Sequence, residues 1–369
     1  MRKQIVIVQP YVAKYRVPFF GRLIHKLDRM EIDCVVAAGT PDATQALRGD
    51  QETPTWVETF DNRRIPVGGR SLILGGARPL WHRADAVIVG LQGSSLDTYK
   101  AILDGKRRKV RVGLWGHIKT FVQPENAIDA ALERWQIRHA DHIFAYTPDG
   151  GEYARKVGAT AVTTVMNTVD TTKLEEALQT VTDNDVARVT GSMGVHPGKT
   201  LAFFGGIDES KRIDFLSDVL DILWRLDPEI RLLIGGEGAQ SSLLKFAVAR
   251  GQVTMLGYVN EQQKALVSKV ADCIVMPGRI GLVAVEALVL QLPIITTQWP
   301  YHAPEESYLE EGKSKITAEN TPTAYASKIV EFLDGLSQKP ASGSVDRWAY
   351  PSIDRMVSNY TNGVLSLLS

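Results

Sequence analysis

The stretch from Ala271 to Thr297, ADCIVMPGRIGLVAVEALVLQLPIITT, leaves a chain that contains it few ways to fold. A short apolar run (CIVM) leads into a Pro-Gly turn. An apolar, helix-like run holding one carboxylate, Glu286, follows, and then Pro293 and a β-rich run (IITT). That order predicts strand, loop, buried helix, strand, the repeating unit of a parallel α/β sheet. The helix is expected to begin near Gly281 and Leu282. Its N–H groups and positive dipole end then face the loop at the strand's C-terminal edge, a setting that suits phosphate. Packing alone poorly explains an acid in the first turns of an otherwise apolar helix.

At 369 residues the chain exceeds a usual single core, so two domains are expected. Lys and Arg number 42 and Asp and Glu number 42, a balance that argues against a general nucleic-acid binder. The first 150 residues hold about six excess positive charges and the remainder about six excess negative ones, compatible with an anionic substrate or a membrane face. Cys34 and Cys273 both sit in apolar runs and read as buried thiols of a reducing compartment. The N-terminal apolar run is too short for a signal peptide, and no stretch reaches the length of a membrane span. A soluble protein of the cytoplasm is expected.

Along the chain, IVIV (5–8), Cys34–Ala37, AVIVG (86–90), VRVGLW (110–115), HIFAY (142–146) and AVTTVM (161–166) read as strands. Helices are expected at FFGRLIHKL, up to Leu103, and from about Glu125 to Arg138. The segment 39–55 is polar and shows no clear period, and 63–83 mixes glycines, arginines and exposed-looking apolar residues. The alternation predicts a Rossmann-like half over residues 1–185. Residues 175–198 lose apolar content and read as an interdomain linker. The pattern restarts over 199–347 with LAFFGG, RIDFLSDVLDILWRL, RLLIGG and VTMLGYV. The last segment, 348–369, is expected to be a helix that packs back on the first domain. Two such halves facing each other would place a ligand cleft at the C-terminal ends of both sheets.

Several motifs are set aside. Gly194–Thr200 is one residue short of a Walker A loop and precedes a strand rather than a helix. Asp183-Asn184-Asp185 lies in the expected linker and reads as a solvated acidic turn. Lys106–Lys109 reads as a solvated loop, with contact to anionic lipid head groups as the alternative. No Cys/His spacing suits zinc. Four features remain. Gly205 and Gly206 follow a strand, with Lys211 and Arg212 opening a helix, so backbone and cation can both approach an anion. Gly235-Gly236 is a second glycine turn after a strand. Glu286 needs partners, which sugar or ribose hydroxyls would supply; a structural ion pair is the plain alternative. His117 ends the strand LWGH, where it could hydrogen-bond a sugar or a transferring group.

These features resemble the retaining glycosyltransferases of family 4, whose GT-B fold has two facing Rossmann-like domains with a cleft between them. The segments that carry the likeness are FFGGIDESKRID, LGYV and IGLVAVEALVLQLPIITT, with QPYVAKYRVPFF, LWGH, AYTPDG and NTVD in the first half. The resemblance implies transfer of a sugar from a nucleotide-diphosphate donor to an acceptor hydroxyl, with retained configuration, no cofactor and no metal. Lys211 would neutralise the diphosphate, and Glu286 would bind the ribose. Main-chain N–H groups near Gly281, Leu282 and Val283 would hold phosphate, and Tyr258 and Val259 would lie near the base. His117 would contact the sugar or acceptor, with Tyr15 and Arg16 on the acceptor side.

The family's pattern departs at two positions, since its first glutamate falls on Gly278 and its phosphate arginine on Gly206. Arg212 or Arg279 is expected to replace the missing charge, and Gly278 to admit a different sugar. The implied partners are a nucleotide sugar and a glycan, lipid-linked or small-molecule acceptor, with peripheral contact at the inner membrane surface and no nucleic acid. Competing readings are a noncatalytic GT-B partner subunit, a natural-product glycosyltransferase and a sugar-nucleotide epimerase.

Overall fold

A computed structural model of the chain describes residues 2–41, 46, 49–67, 70–108, 110–118, 127–337 and 347–369. The chain forms two compact units, Met1–Asp170 together with Pro351–Ser369, and Thr171–Tyr350.

The strands of the first unit are β1 (Lys3–Gln9), β2 (Ile32–Gly39), β3 (Val57–Phe60), β4 (Asn62–Val67), β5 (Arg70–Gly75), β6 (Ala86–Gly90), β7 (Arg111–Gly116), β8 (His142–Ala145) and β9 (Val162–Thr164). Seven of them pair in the order β3-β2-β1-β6-β7-β8-β9, every pair parallel. Side chains alternate across this sheet. Ile5 and Ile7 enter one core with Phe19, Phe20 and Trp115, while Val6 and Val8 enter the other with Trp81 and Leu114. Burial on both faces explains why these strands read as unbroken apolar runs.

The helix Ile353–Leu368 starts on a Ser352 cap, whose hydroxyl accepts from the Arg355 N–H at 3.2 Å. It buries Met356, Tyr360 and Val364 against Phe19, Trp115 and Phe144 of this unit. Gly363 makes that packing possible, because a Cβ there would meet the Phe144 ring at 2.5 Å.

The second unit holds β10 (Thr200–Phe204), β11 (Arg231–Gly235), β12 (Val253–Gly257), β13 (Cys273–Met276), β14 (Ile294–Thr297) and β15 (Lys315–Ala318). They pair in parallel as β12-β11-β10-β13-β14-β15. This is the strand order of a doubly wound nucleotide fold, with its reversal between β10 and β13. The strand–helix–strand reading of 271–297 is realised as β13, the helix Val283–Leu290 and β14. That helix is buried on nearly every side except at Glu286, as its composition requires.

Three stretches differ from expectation. The supposed linker 175–198 is mostly helical, as Thr171–Thr180 and Asp183–Met193 of the second unit. Only Leu174, Ala177 and a few other side chains of these helices are buried, so their apolar signal is thin. The Asp183–Asp185 turn is a capping box: Thr182 and Asp185 exchange hydrogen bonds at 3.2 Å, which explains the acids without a ligand. The mixed segment 63–83, in which no strand is expected, contains β5 and most of β4, an antiparallel hairpin in register from Asn62↔Gly75 to Val67↔Arg70. Lys106 and Arg107 lie on the helix Leu96–Arg108 rather than in a loop, and Lys109 is outside the described residues. The expected helix start at Glu125 is also outside them, and the described helix runs Ala127–His139.

Candidate active site

In a doubly wound sheet, ligands bind outside the C-terminal strand ends where the order reverses. In the second unit that place is defined by the turns after β10 and β13. After β10 the chain passes Gly205 at φ +141° and makes a short helical turn, Glu209–Lys211. The Asp208 carboxylate caps this turn by accepting from the Ser210 N–H at 2.9 Å. Arg212, at φ +56°, redirects the chain into the helix Ile213–Leu226.

The turn after β13 is pressed onto this one. The Arg279 N–H donates to the Ser210 carbonyl at 2.8 Å, and the Lys211 ammonium donates to the Arg279 carbonyl. Gly278 sits between them: a Cβ there would lie 2.5 Å from the Ser210 oxygen and 2.6 Å from the Lys211 carbonyl carbon. The glycine at this position is therefore a packing requirement, and the site has no room for an acid there. The expectation that Gly278 opens space for another sugar is replaced by this close approach. Gly236 is constrained in the same way, since its Cβ would fall 1.9 Å from the Gly205 oxygen. Gly206 is exposed, and its Cβ would meet the Asp208 carboxylate at 3.0 Å and the Glu237 carbonyl at 4.0 Å.

Burial lowers the Lys211 pKa to about 8, with the Arg279 charge adding to the effect and the Asp208 and Glu286 charges opposing it. Lys211 and Glu286 thus share one electrostatic neighbourhood, together with the partly buried Arg279. Glu286, in the first turn of its helix, accepts from the Lys264 ammonium at 2.6 Å. Burial pushes the Lys264 pKa down, but the Glu286 charge and hydrogen bond outweigh it, and the net shift is upward. The Tyr258 ring acts on the same lysine, and Tyr258 itself is 75% exposed beside the buried Val259. Gly281, Leu282 and Val283 lead into the helix, and the next N–H groups, of Ala284, Val285 and Glu286, donate to the Gly281 and Leu282 carbonyls at 2.9–3.2 Å.

Arg212 is occupied elsewhere. Its guanidinium donates to the Pro277 carbonyl and the Thr297 hydroxyl, each at 3.2 Å, and to the Asn320 side chain at 2.6 Å. It also stacks over Phe215 at 4.0 Å and Trp299 at 4.5 Å. This arginine ties the ends of β13 and β14 together, so it positions the site rather than replacing the charge missing at Gly206.

His302, which the sequence did not single out, accepts from the Ile280 N–H at 3.1 Å through Nδ1. Burial lowers its pKa, the Glu306 charge opposes that, and the Lys315 and Lys211 charges add to it. Lys264 and His302 were missed because each lies on an element remote in sequence from the residue it serves. A histidine between two prolines just after a strand was the available signal for His302.

In the first unit, His117 is exposed at the end of β7, with its ring 4.6 Å from that of Tyr146. Arg16 is buried, its guanidinium 4.3 Å from the Trp115 ring. It donates to the Tyr15 hydroxyl at 2.9 Å and to the Tyr146 hydroxyl. Tyr15, Arg16 and His117 are therefore brought together through Tyr146. Arg16 orients the tyrosine on which His117 leans.

Residues 198–335 match the family model described as glycosyl transferases group 1. No curated protein matches the sequence. Among solved structures, Anabaena HepE in complex with UDP and glucose is similar at a TM-score of 0.62 and 14% identity, over 99% of this chain and 100% of that one. An S. aureus TarM structure with fondaparinux, alpha-GlcNAc-glycerol and UDP is similar at a TM-score of 0.58 and 10% identity, over 100% of both chains. The UDP-GlcNAc 2-epimerase from Methanocaldococcus jannaschii is similar at 0.55 and 15%, over 98% of this chain and 100% of that one. These likenesses establish the GT-B fold. Among the described residues, no helix is long and apolar enough to cross a membrane.

Proposed function

We propose that the protein transfers a sugar from a nucleoside-diphosphate sugar to an acceptor hydroxyl, with retained anomeric configuration and without a metal ion, in the manner of family 4. The observation that carries this reading is the grouping of Lys211 and Glu286 at the β10–β13 reversal, inside the stretch that matches glycosyl transferases group 1. A departing nucleoside diphosphate gains negative charge as the glycosidic bond breaks. The Lys211 ammonium and the N–H groups at Gly281, Leu282 and Val283 would meet that charge and stabilise it most in the transition state. These fixed positive groups are the reason for the metal-free reading.

Glu286 would accept the ribose hydroxyls, with Lys264 holding the carboxylate oriented. Tyr258 offers an exposed ring to the base. Arg279 would add a second cation beside the diphosphate. UDP is the base to test first, because solved neighbours hold it. His117 would contact the sugar or acceptor, with Tyr15 beside it. A glycan or glycolipid acceptor made at the cytoplasmic face of a bacterial membrane suits this reading.

Gly278 favours a second reading, a noncatalytic GT-B subunit, since the packing there excludes the family's first glutamate. A panel of UDP-, GDP-, ADP- and dTDP-sugars, followed by proton NMR with a mixture of acceptors, separates the possibilities. A transferase releases nucleoside diphosphate and forms a glycoside with the donor's anomeric configuration, unaffected by EDTA. Binding without turnover would favour the noncatalytic subunit, and a donor epimer would favour the epimerase.

A further inference from the structure

The first unit also has an order reversal, between β1 and β6, and a cavity of about 140 Å³ lies at the C-terminal ends of those two strands. The β4–β5 hairpin contributes to its wall, and the Ile73 N–H donates to the Ser94 carbonyl at 2.9 Å, fixing the hairpin to the loop after β6. The lining mixes polar Asn62, Arg64, Gln92 and Asp97 with apolar Phe60, Ile73 and Val89. Asp97 is 5% exposed and is held in place by the main-chain N–H groups of Gly75 and Ala77 and by Lys100 at 3.4 Å. Asn62 donates to the Pro10 carbonyl at 3.3 Å, which fixes its amide plane against the end of β1.

This combination of an apolar wall and a few oriented hydroxyl-binding groups suits a sugar ring, which has an apolar face and a polar edge. The size agrees. The cavity is the scale of one ring and well below the roughly 300–1,000 Å³ of pockets that enclose drug-sized molecules. β6 neighbours β7, with Gly90 opposite Trp115, so the cavity lies one strand away from His117 on the same sheet edge.

We propose that this cavity binds the terminal sugar ring of the acceptor, with Asp97 and Gln92 accepting its hydroxyl protons and Phe60 facing its apolar side. The role as acceptor site rests on the transferase reading; the capacity to bind a sugar ring does not. The accepted substrate class is then a glycan terminus that presents a single hydroxylated ring.

Gly90 provides the test, because a Cβ built there meets nothing within 4 Å and a larger side chain would grow into the cavity. Saturation-transfer NMR with methyl glycosides of glucose, galactose and N-acetylglucosamine is run on the wild type, Gly90→Leu and Gln92→Ala. Thermal melts confirm folding, and UDP titration reports on the second unit. The expected result is binding of at least one glycoside, weakened at least tenfold by Gly90→Leu and several-fold by Gln92→Ala, with UDP affinity unchanged. Absent glycoside binding, or binding untouched by both substitutions, overturns the proposal. Glycoside binding lost in Gly90→Leu, in a protein that turns over no nucleotide sugar, upholds the cavity and overturns the transferase reading.

Discussion

Glu286 and Lys264 form an ion pair of 2.6 Å with side chains only 15% and 18% exposed, so each is held by the other in a setting that would not tolerate either alone. Removing one partner of a buried pair leaves an uncompensated charge, which costs more than the pair itself contributes. Lys264→Met is expected to destabilise the protein by about 3 kcal/mol in urea unfolding. The double variant Lys264→Met/Glu286→Leu should recover most of that loss. Simple additivity of the two single variants would show that the pair is not coupled.

Restoring the family's first glutamate should fail. Gly278→Glu would push a Cβ against the Ser210 oxygen at 2.5 Å and drive the β13 turn away from Lys211. The expected outcome is a loss of about 1–3 kcal/mol from overpacking, with weaker donor binding rather than a gain of activity. Thermal melts and nucleoside-diphosphate titration check both.

Lys211 gives donor binding a pH dependence. Only the ammonium form attracts a diphosphate, and burial brings its pKa to about 8. Affinity for UDP should be full below that value and fall as pH rises through it, by up to about tenfold per pH unit. Lys211→Arg, charged throughout, should bind with a flat profile. The same lowered pKa means that the unfolded chain holds more protons between about 8 and 10.5, so this group's contribution to stability rises with pH over that window.

His142 should dominate the acid side. It is 3% exposed, Nε2 meets the Thr163 hydroxyl at 2.8 Å, and burial lowers its pKa from 6.5 to about 4. Between those values the unfolded chain takes up a proton that the folded one refuses, so stability falls as pH drops through the window, by roughly 3 kcal/mol in all. His142→Gln should flatten the pH dependence of urea unfolding over that range.

The strand runs at 5–8, 86–90, 201–206 and 271–297 could be read from sequence because fully buried parallel strands are continuously apolar. The hairpin β4–β5 was missed although RIPVGGRSLIL carries apolar runs on both sides of a Gly-Gly pair, which is itself a hairpin signal. The helices within 175–198 read as a linker in sequence because they bury too few side chains to show a period. Lys211 and Glu286 could be found because each stands at the junction of a strand and a helix. Lys264 and Tyr146 could not, since their roles come from tertiary contacts with Glu286 and Arg16. Gly236 reads as part of a glycine turn and Gly278 as a missing glutamate, whereas the structure gives both a backbone-packing role.

The central claim is that the second unit grips a nucleoside diphosphate with Lys211, Glu286 and the start of the Val283–Leu290 helix. Calorimetric titration of UDP, GDP, ADP and dTDP into the wild type, Lys211→Ala and Glu286→Gln tests it most directly. The account predicts that one base binds the wild type and that either substitution weakens it at least tenfold while the fold is retained. Equal affinity in all three proteins, or no binding of any base to the wild type, would contradict it.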